Sequence, residues 1–402
     1  FDDEPALDTF ESGFVFCLFC LLRPRKILSS TFRHSLEPAL SAASLAMFIR
    51  QNLLVAGVLA LSLSLAQSAI ARPVTDHLNR TVDVPERIER VAVADIFPYA
   101  SATCVYLGSC CKIVAMHPSS MAAAKNGLLK ELYPEVTSVN TSVMKGAEVN
   151  LEALMGLKPD VVFVNAGNKR LIERLESAGL PALAVSTGKW DYDVMKTYEN
   201  WIALLDKTFP GEGNAAAALQ KARSIEKLVA ERTADIAPDK RRKVLFLVHY
   251  DGKRIVTSGS RFFGQYWATA AGAINVGHEV TLEKGNAAID FERILAWNPD
   301  AVFLTNFTKA KPSDLYGNTY HSWSSVEAVK RHNVYKMPLG LYRSYTPSAD
   351  SPMTLLWLAA TLYPERFADI KIEDEVRAFY RDCYGIELTP ERARTLFPID
   401  HK

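Results

Sequence analysis

Short apolar runs rich in β-branched residues alternate with stretches of helical spacing along the chain. Val91–Ala94, Ile113–Met116, Asp160–Val164 and Ala182–Val185 read as buried strands. Leu151–Leu157 and Lys169–Ala178, between them, read as helices. A second series follows in Val244–Val248, Arg254–Thr257, Asp300–Leu304 and Val334–Met337. This alternation predicts an α/β protein with mainly parallel sheets. The stretch Tyr192–Ile236 has almost no strand character. Ala215–Ala218, Leu219, Ile225, Leu228 and Val229 recur there at helical spacing with charges between them. They predict one long helix joining two lobes, closed by Pro238 and the basic run Lys240–Lys243, a solvated edge before the next strand. The boundaries so drawn are residues 72–190 for an N-terminal α/β lobe, 191–238 for the helical linker and 239–402 for a C-terminal α/β lobe with C-terminal helices.

An internal repeat supports the two lobes. Asn150-Leu-Glu-Ala-Leu-Met-Gly-Leu-Lys-Pro-Asp-Val-Val-Phe-Val recurs 140 residues later as Asp290-Phe-Glu-Arg-Ile-Leu-Ala-Trp-Asn-Pro-Asp-Ala-Val-Phe-Leu. Each copy reads as cap, short amphipathic helix, Pro-Asp turn and buried strand. Asn150 and Asp290 suit helix N-caps. Pro159 and Pro299 stop the helix and set the turn. Two lobes of shared topology then face each other across a cleft.

The start of the chain follows a different pattern. Met47, Arg50, an apolar run from Leu53 to Ala66 and the small-residue site Ala69-Ile70-Ala71 form a secretory signal peptide over residues 47–71, with the mature chain starting at Arg72. The run is shorter than the ~20 residues of a membrane span. No cysteine follows the cleavage site, which argues against a lipoprotein anchor and for a periplasmic protein. Residues 1–46 precede this start and are read as an upstream or artefactual segment, outside the fold.

Lys and Arg total 46 against 45 Asp and Glu, and 49% of residues are hydrophobic, which excludes a disordered chain and a bulk nucleic-acid binder. Cys104, Cys110, Cys111 and Cys383 follow the leader, and export permits disulfides. Cys104 is close enough to Cys110 or Cys111 to bridge a short loop, and three full pairings stay open. Gly211-Glu-Gly-Asn-Ala-Ala216 fits a dinucleotide fingerprint, but a helical stretch precedes it where a strand is required.

With the repeat in place, the chain resembles the substrate-binding proteins of ABC importers for metal chelates, the siderophore-, haem- and vitamin B12-binding family. The resemblance covers essentially the whole mature chain. It rests on Val74–Pro85, similar to the family's opening hairpin, on Asn150–Val164, on Trp267–Asn275 (WATAAGAIN) and on Trp323–Pro338 (WSSVEAVKRHNVYKMP). It implies two Rossmann-like lobes bridged by a rigid helix, a ligand between them, and a permease partner in the inner membrane. Leu355–Phe367 and Val376–Tyr384 look most like members for iron complexes, so a ferric chelate or another metal complex is the ligand implied. The expected protein is a monomer with no intrinsic cofactor, no nucleic-acid partner and no catalysis.

Glu152 and Glu292 fall at matching places in the repeat, each in a first helical turn. They compensate a helix dipole, and as an exposed pair they could also meet arginines of a symmetric membrane partner. The resemblance assigns them the permease-docking part.

Ligand contacts are expected on loops after strand carboxyl ends. In the N-terminal lobe these are Phe97, Tyr99, His117, Lys145, Asn165 and Trp190; in the C-terminal lobe His249, Tyr250, Arg261, Phe262, Tyr316, Tyr342, Arg343 and Tyr345. Arginine offers a planar fork to carboxylate or catecholate oxygen, and aromatics supply rigid apolar contact. Leu341–Tyr345 is the strongest candidate, a polar aromatic cluster directly after a strand. No His pair has i,i+4 spacing, yet His117, His249 and His321 could assemble a bare-metal site across the cleft. A bare zinc, manganese or nickel binder is one alternative reading. An enzyme on the same two-lobed, chelatase-like plan is another, although the chain carries no nucleophile elbow, P-loop or Cys cluster.

Overall fold

Eight strands lie where the apolar runs predict them, and they divide between two sheets. The computed structural model describes residues 71–145, 148–280 and 285–399. The expected leader and the upstream segment therefore lie outside the described residues, apart from Ala71. Among the described residues no helix is long and apolar enough to cross a membrane.

The N-terminal sheet is wholly parallel, in the order Ile113–Met116, Val91–Val93, Val161–Asn165, Ala182–Val185. Its side chains alternate between two apolar layers. Val91, Val93, Val161 and Phe163 face one core, and Ala92, Val162 and Val164 the other. The C-terminal sheet is mixed. Lys243–Tyr250, Ala301–Leu304 and Val334–Lys336 run parallel, while Ile255–Ser258 and Asn286–Ile289 are added antiparallel. Ile255–Ser258 returns directly because only Asp251–Arg254 separates it from the preceding strand, too short a connection for a parallel crossover.

The linker differs from the single helix expected. It is two helices, Val194–Thr208 and Ala216–Thr233. Pro210 and Gly211, at φ 75°, turn the chain between them. Gly213 in the same turn lies against the Tyr106 ring, where a Cβ would collide, so the Gly-rich stretch serves packing and follows a helix rather than a strand. Trp201 and Val229 of these helices share one core with Val93 and Phe163 of the first lobe, Phe246 and Phe303 of the second, and Trp357 and Tyr380 of the C-terminal helices Ser351–Leu362 and Ile372–Tyr384. An apolar core continuous across both lobes resists hinge motion.

The repeat is reproduced in detail. Asn150 Oδ1 accepts the Ala153 N–H (3.2 Å) and Asp290 Oδ1 the Arg293 N–H (2.9 Å). Each helix ends on a left-handed residue, Lys158 at φ 47° and Asn298 at φ 42°. Asp160 Oδ2 then accepts the N–H groups of Glu89 and Arg90 (2.7 and 2.8 Å), and Asp300 Oδ2 that of Lys243 (2.8 Å). Arg90 Nε and Lys243 Nζ donate to the last helical carbonyls, of Leu157 (2.8 Å) and Trp297 (2.9 Å). The Pro-Asp turn thus ties each helix end to the start of the neighbouring strand.

Ala71–Thr75 pairs antiparallel with Thr81–Pro85, the opening hairpin that the resemblance implies. Of the pairings left open, Cys104 bonds Cys110, while Cys111 is exposed and Cys383 half-buried.

Candidate functional site

The two sheets deliver their carboxyl ends to one place. Past Val91–Val93 come Asp95 and Phe97, and past Ile113–Met116 come His117 and Ser119. From the other lobe come Phe307, after Ala301–Leu304, and Tyr342 and Arg343, after Val334–Lys336. Arg343 joins the halves. Its Nη1 donates to Ser119 Oγ across the cleft (3.1 Å) and to the Tyr342 hydroxyl (3.1 Å). Its guanidinium lies 4.9 Å from the centre of the Phe307 ring, whose residue is 38% exposed. Beside it, the Leu128 N–H donates to the Gly340 carbonyl (2.8 Å), so the lobes also meet through backbone.

His117 caps helix Pro118–Asn126: its Nδ1 accepts the Ser119 N–H (2.9 Å). Phe97 stacks on the imidazole at 3.9 Å and is held by Ser120 Oγ, which donates to its carbonyl (2.7 Å). Burial, with help from Arg343, holds His117 below its ordinary pKa, and Asp95 pulls the other way. The neutral ring therefore carries its proton on Nε2. Both oxygens of Asp95 are occupied, by the Asn165 N–H and the Asn168 amide (2.7 Å each). The free chemistry of the cleft is then a cation and several donors, which suits an anion rich in oxygen.

Asp350 supports this loop from behind. Fully buried, it accepts the Tyr342 N–H through Oδ2 (3.1 Å) and the Tyr380 hydroxyl through Oδ1. Burial pushes its carboxyl up despite these donors. Tyr380 belongs to the C-terminal helices, so the tail braces the arginine loop.

Several expected contacts lie elsewhere. Tyr99 is a core residue, its ring 4.7 Å from Phe163 and 5.5 Å from Trp201, because helix Tyr99–Leu107 is buried along nearly its whole length. Tyr250 is also buried; its hydroxyl accepts from Trp323 Nε1 (2.7 Å) and meets His321 Nδ1 (3.2 Å) inside the C-terminal lobe. Tyr345 is buried under helix Phe263–Ala270, taking the Gly264 N–H on its hydroxyl (3.2 Å) and Trp267 Nε1 on its carbonyl (2.9 Å). Tyr316 bonds the Val334 N–H (3.1 Å) and packs on His332. Trp190 is half-buried, edge-on to His77 at 4.9 Å. Arg261 is exposed, and Phe262 packs on Tyr192 at 5.0 Å. The Asn165 side chain accepts from Gly167 N (2.9 Å), and the Lys145 side chain lies outside the described residues.

The three histidines do not converge. His117 caps a helix, His249 Nε2 pairs with Asp251 (2.7 Å) and His321 stacks on Phe291 at 4.8 Å. Among the described residues no group of three His, Cys, Asp or Glu could hold a metal ion. Ser119, Phe307 and Asp350 are the contributors the sequence reading passed over. Ser119 follows a strand end by three residues, and Phe307 follows Leu304 by three, so the rule that selected Arg343 reaches both.

Glu152 and Glu292 are exposed in the first turns of Leu151–Gly156 and Phe291–Trp297. Three residues on, Met155 (46% exposed) and Leu295 (41%) stand at matching places as exposed apolar side chains. Each carboxylate thus shares a helix face with an apolar neighbour.

Comparison with known proteins agrees with this architecture. The profile of the family described as periplasmic binding protein matches residues 119–339. The molybdate-binding protein MolA of Haemophilus influenzae is 28% identical over 369 residues, 85% of this chain and 99% of that protein. A periplasmic solute binding protein from Veillonella parvula superposes with a TM-score of 0.71 at 29% identity, over 81% of this chain and 97% of its own. The molybdate-bound structure of Haemophilus influenzae MolA gives 0.67 at 25% identity, over 79% of this chain and 99% of its own.

Proposed function

The chain belongs to the periplasmic binding protein family, and from that premise we propose that it captures an anionic, oxygen-bearing metal species in the cleft and delivers it to an ABC permease of the inner membrane. The reading rests on one observation above the others: Arg343 Nη1 reaches across the cleft to Ser119 Oγ at 3.1 Å. A ligand oxygen takes the place of that hydroxyl as acceptor for the guanidinium, with the Tyr342 hydroxyl and His117 Nε2 completing the donors. The lobes already touch through Arg343–Ser119 and Leu128–Gly340, which favours a small oxyanion of the molybdate type over a bulky chelate. The relative named for molybdate supports the same choice.

A ferric chelate is the second reading. It is favoured by the aromatic surfaces at the cleft, Phe307 and the Phe97–His117 stack, which offer flat apolar contact to a chelate. Calorimetric titration with molybdate, tungstate, ferric citrate and haem separates the two. Molybdate binding weakened at least ten-fold by Arg343→Ala supports the first; ferric citrate or haem binding with no response to molybdate replaces it with the second. Docking to the permease is assigned to Glu152 and Glu292, one on each lobe.

A further inference from the structure

Lys336 ends the last strand of the C-terminal sheet, and its ammonium turns under the loop that follows the neighbouring strand. Nζ donates to the carbonyls of Thr305 (2.9 Å), Thr308 (2.7 Å) and Ala310 (2.9 Å). An ammonium has three protons and no acceptor, so all three are spent on one loop. Burial is the main influence on this group, lowering it to about 8, with Asp314 acting in the opposite sense. A half-buried cation satisfied by carbonyls is an unfavourable choice for packing alone. The loop it closes carries Phe307, whose ring lies under the Arg343 guanidinium at 4.9 Å. The same turn is pinned elsewhere, by Asn306 Nδ2 on the Met337 carbonyl (3.0 Å) and by Thr308 Oγ1, which accepts the Tyr250 N–H (3.2 Å). Asn306 Oδ1, one residue before Phe307, is buried without a partner among the described residues. A loop so heavily fixed, yet with a large aromatic left 38% exposed at its tip, is built to present that ring.

We infer that Lys336 is a positioning residue for the cleft: by closing residues 305–310 around its ammonium it sets Phe307 beneath Arg343, and through that ring it sets the direction of the guanidinium. This rests on the reading of Arg343 as the anion contact. Lys336 itself need not touch the ligand. Its effect must pass through Phe307, which gives it a signature that ordinary stabilisation lacks.

The test is a double-variant cycle of Lys336→Met, Phe307→Ala and the pair. Molybdate affinity is measured by calorimetry, and the Arg343 Nε–H resonance is measured by 15N NMR on ligand-free protein. Each single variant is expected to bind molybdate roughly ten-fold more weakly, and the pair no more weakly than Phe307→Ala alone. The Arg343 resonance in Lys336→Met should move to where Phe307→Ala puts it. Losses that multiply in the pair, or an unmoved resonance, overturn the inference. Should the Met variant not fold, Lys336→Arg carries the same comparison, since the planar fork cannot serve three converging carbonyls. If the wild-type protein takes no molybdate, the ligand reading falls, and the resonance comparison alone decides the role of Lys336.

Discussion

Arg343 of the second lobe donates to Ser119 Oγ of the first over 3.1 Å, across 224 positions of sequence. It does so as the leading residue of a braced group. Phe307 lies under its plane, the Tyr342 hydroxyl accepts from the same Nη1, and Asp350 holds the Tyr342 backbone. A long flexible side chain costs entropy to order in any binding site. Here much of that ordering is already present before a ligand arrives, which favours affinity through preorganisation.

The first prediction concerns that charge. Arg343→Ala should weaken oxyanion binding about 10- to 100-fold, the range for losing a charged hydrogen bond of about 1.5–3 kcal/mol. Ser119→Ala should cost less, because its hydroxyl is an acceptor that the ligand displaces. Thermal melting should change little for either, since both side chains are only half-buried. Calorimetry beside melting curves checks this; equal affinity in wild type and Arg343→Ala would place the site elsewhere.

The repeat, the strand positions and the opening hairpin were legible because each is local. A Pro-Asp turn, an N-cap and a run of alternating valines declare themselves within a dozen residues. The arginine loop was legible for the same reason, as a polar aromatic cluster after a strand. What local pattern does not distinguish is which aromatic of a cluster turns inward. Tyr342 and Tyr345 stand three apart, and both are buried, yet one hydroxyl meets Arg343 and the other caps helix Phe263–Ala270. Tyr99 follows a strand as the rule asks and Tyr250 ends one, but their neighbours close over them. Asp350 was invisible because its partners, Tyr342 and Tyr380, lie 8 and 30 residues away on different elements.

A second prediction follows from His77. Its Nδ1 accepts the Ser186 N–H (3.0 Å) and its Nε2 faces the Asn200 carbonyl (3.2 Å), so the neutral ring ties the hairpin to the first lobe and the linker. Burial first, then Lys189 and Lys207, lowers its pKa from 6.5 to about 4, against the pull of the Asn200 carbonyl and Asp76. Between these values the unfolded chain holds the extra proton, so stability rises with pH through the window. The contribution is complete above pH 6.5 and lost as pH falls towards 4. Unfolding free energies from urea titration should be on the order of 1–2 kcal/mol lower at pH 4.5 than at pH 7, discounted for partial exposure, and the difference should shrink in His77→Gln. An equal fall in the variant would assign the pH effect to other groups.

The cysteines give a third. Closing the short loop between Cys104 and Cys110 restricts the unfolded chain and should contribute about 2 kcal/mol, so Cys104→Ser/Cys110→Ser melts several degrees lower. Cys111, exposed next to the bond, should react with a thiol reagent in the native state well before Cys383, which is half-buried and whose thiol burial pushes up. Mass mapping of the modified peptides checks the order, and labelling of Cys104 or Cys110 in the untreated protein would refute the pairing.

The last prediction concerns the permease. The repeat places Glu152 with Met155 and Glu292 with Leu295 on matching helix faces, so each lobe carries one exposed carboxylate beside one exposed apolar side chain. Such a pair suits a partner with a basic group next to an apolar one, present twice. The carboxylates steer the approach and set the register. The apolar contacts hold the docked state and are not screened by salt. Glu152→Ala/Glu292→Ala should leave molybdate affinity and melting unchanged, because both side chains are exposed in the first turns of their helices. Uptake in cells lacking the native gene should fall at least ten-fold, and each single variant should fall less. Met155→Ser/Leu295→Ser should also lower uptake, with a loss that persists when ionic strength is raised, whereas the effect of the glutamate pair should shrink as salt screens it. Normal uptake by the double glutamate variant would remove these residues from docking. Lost ligand binding in that variant would instead make them part of the cleft.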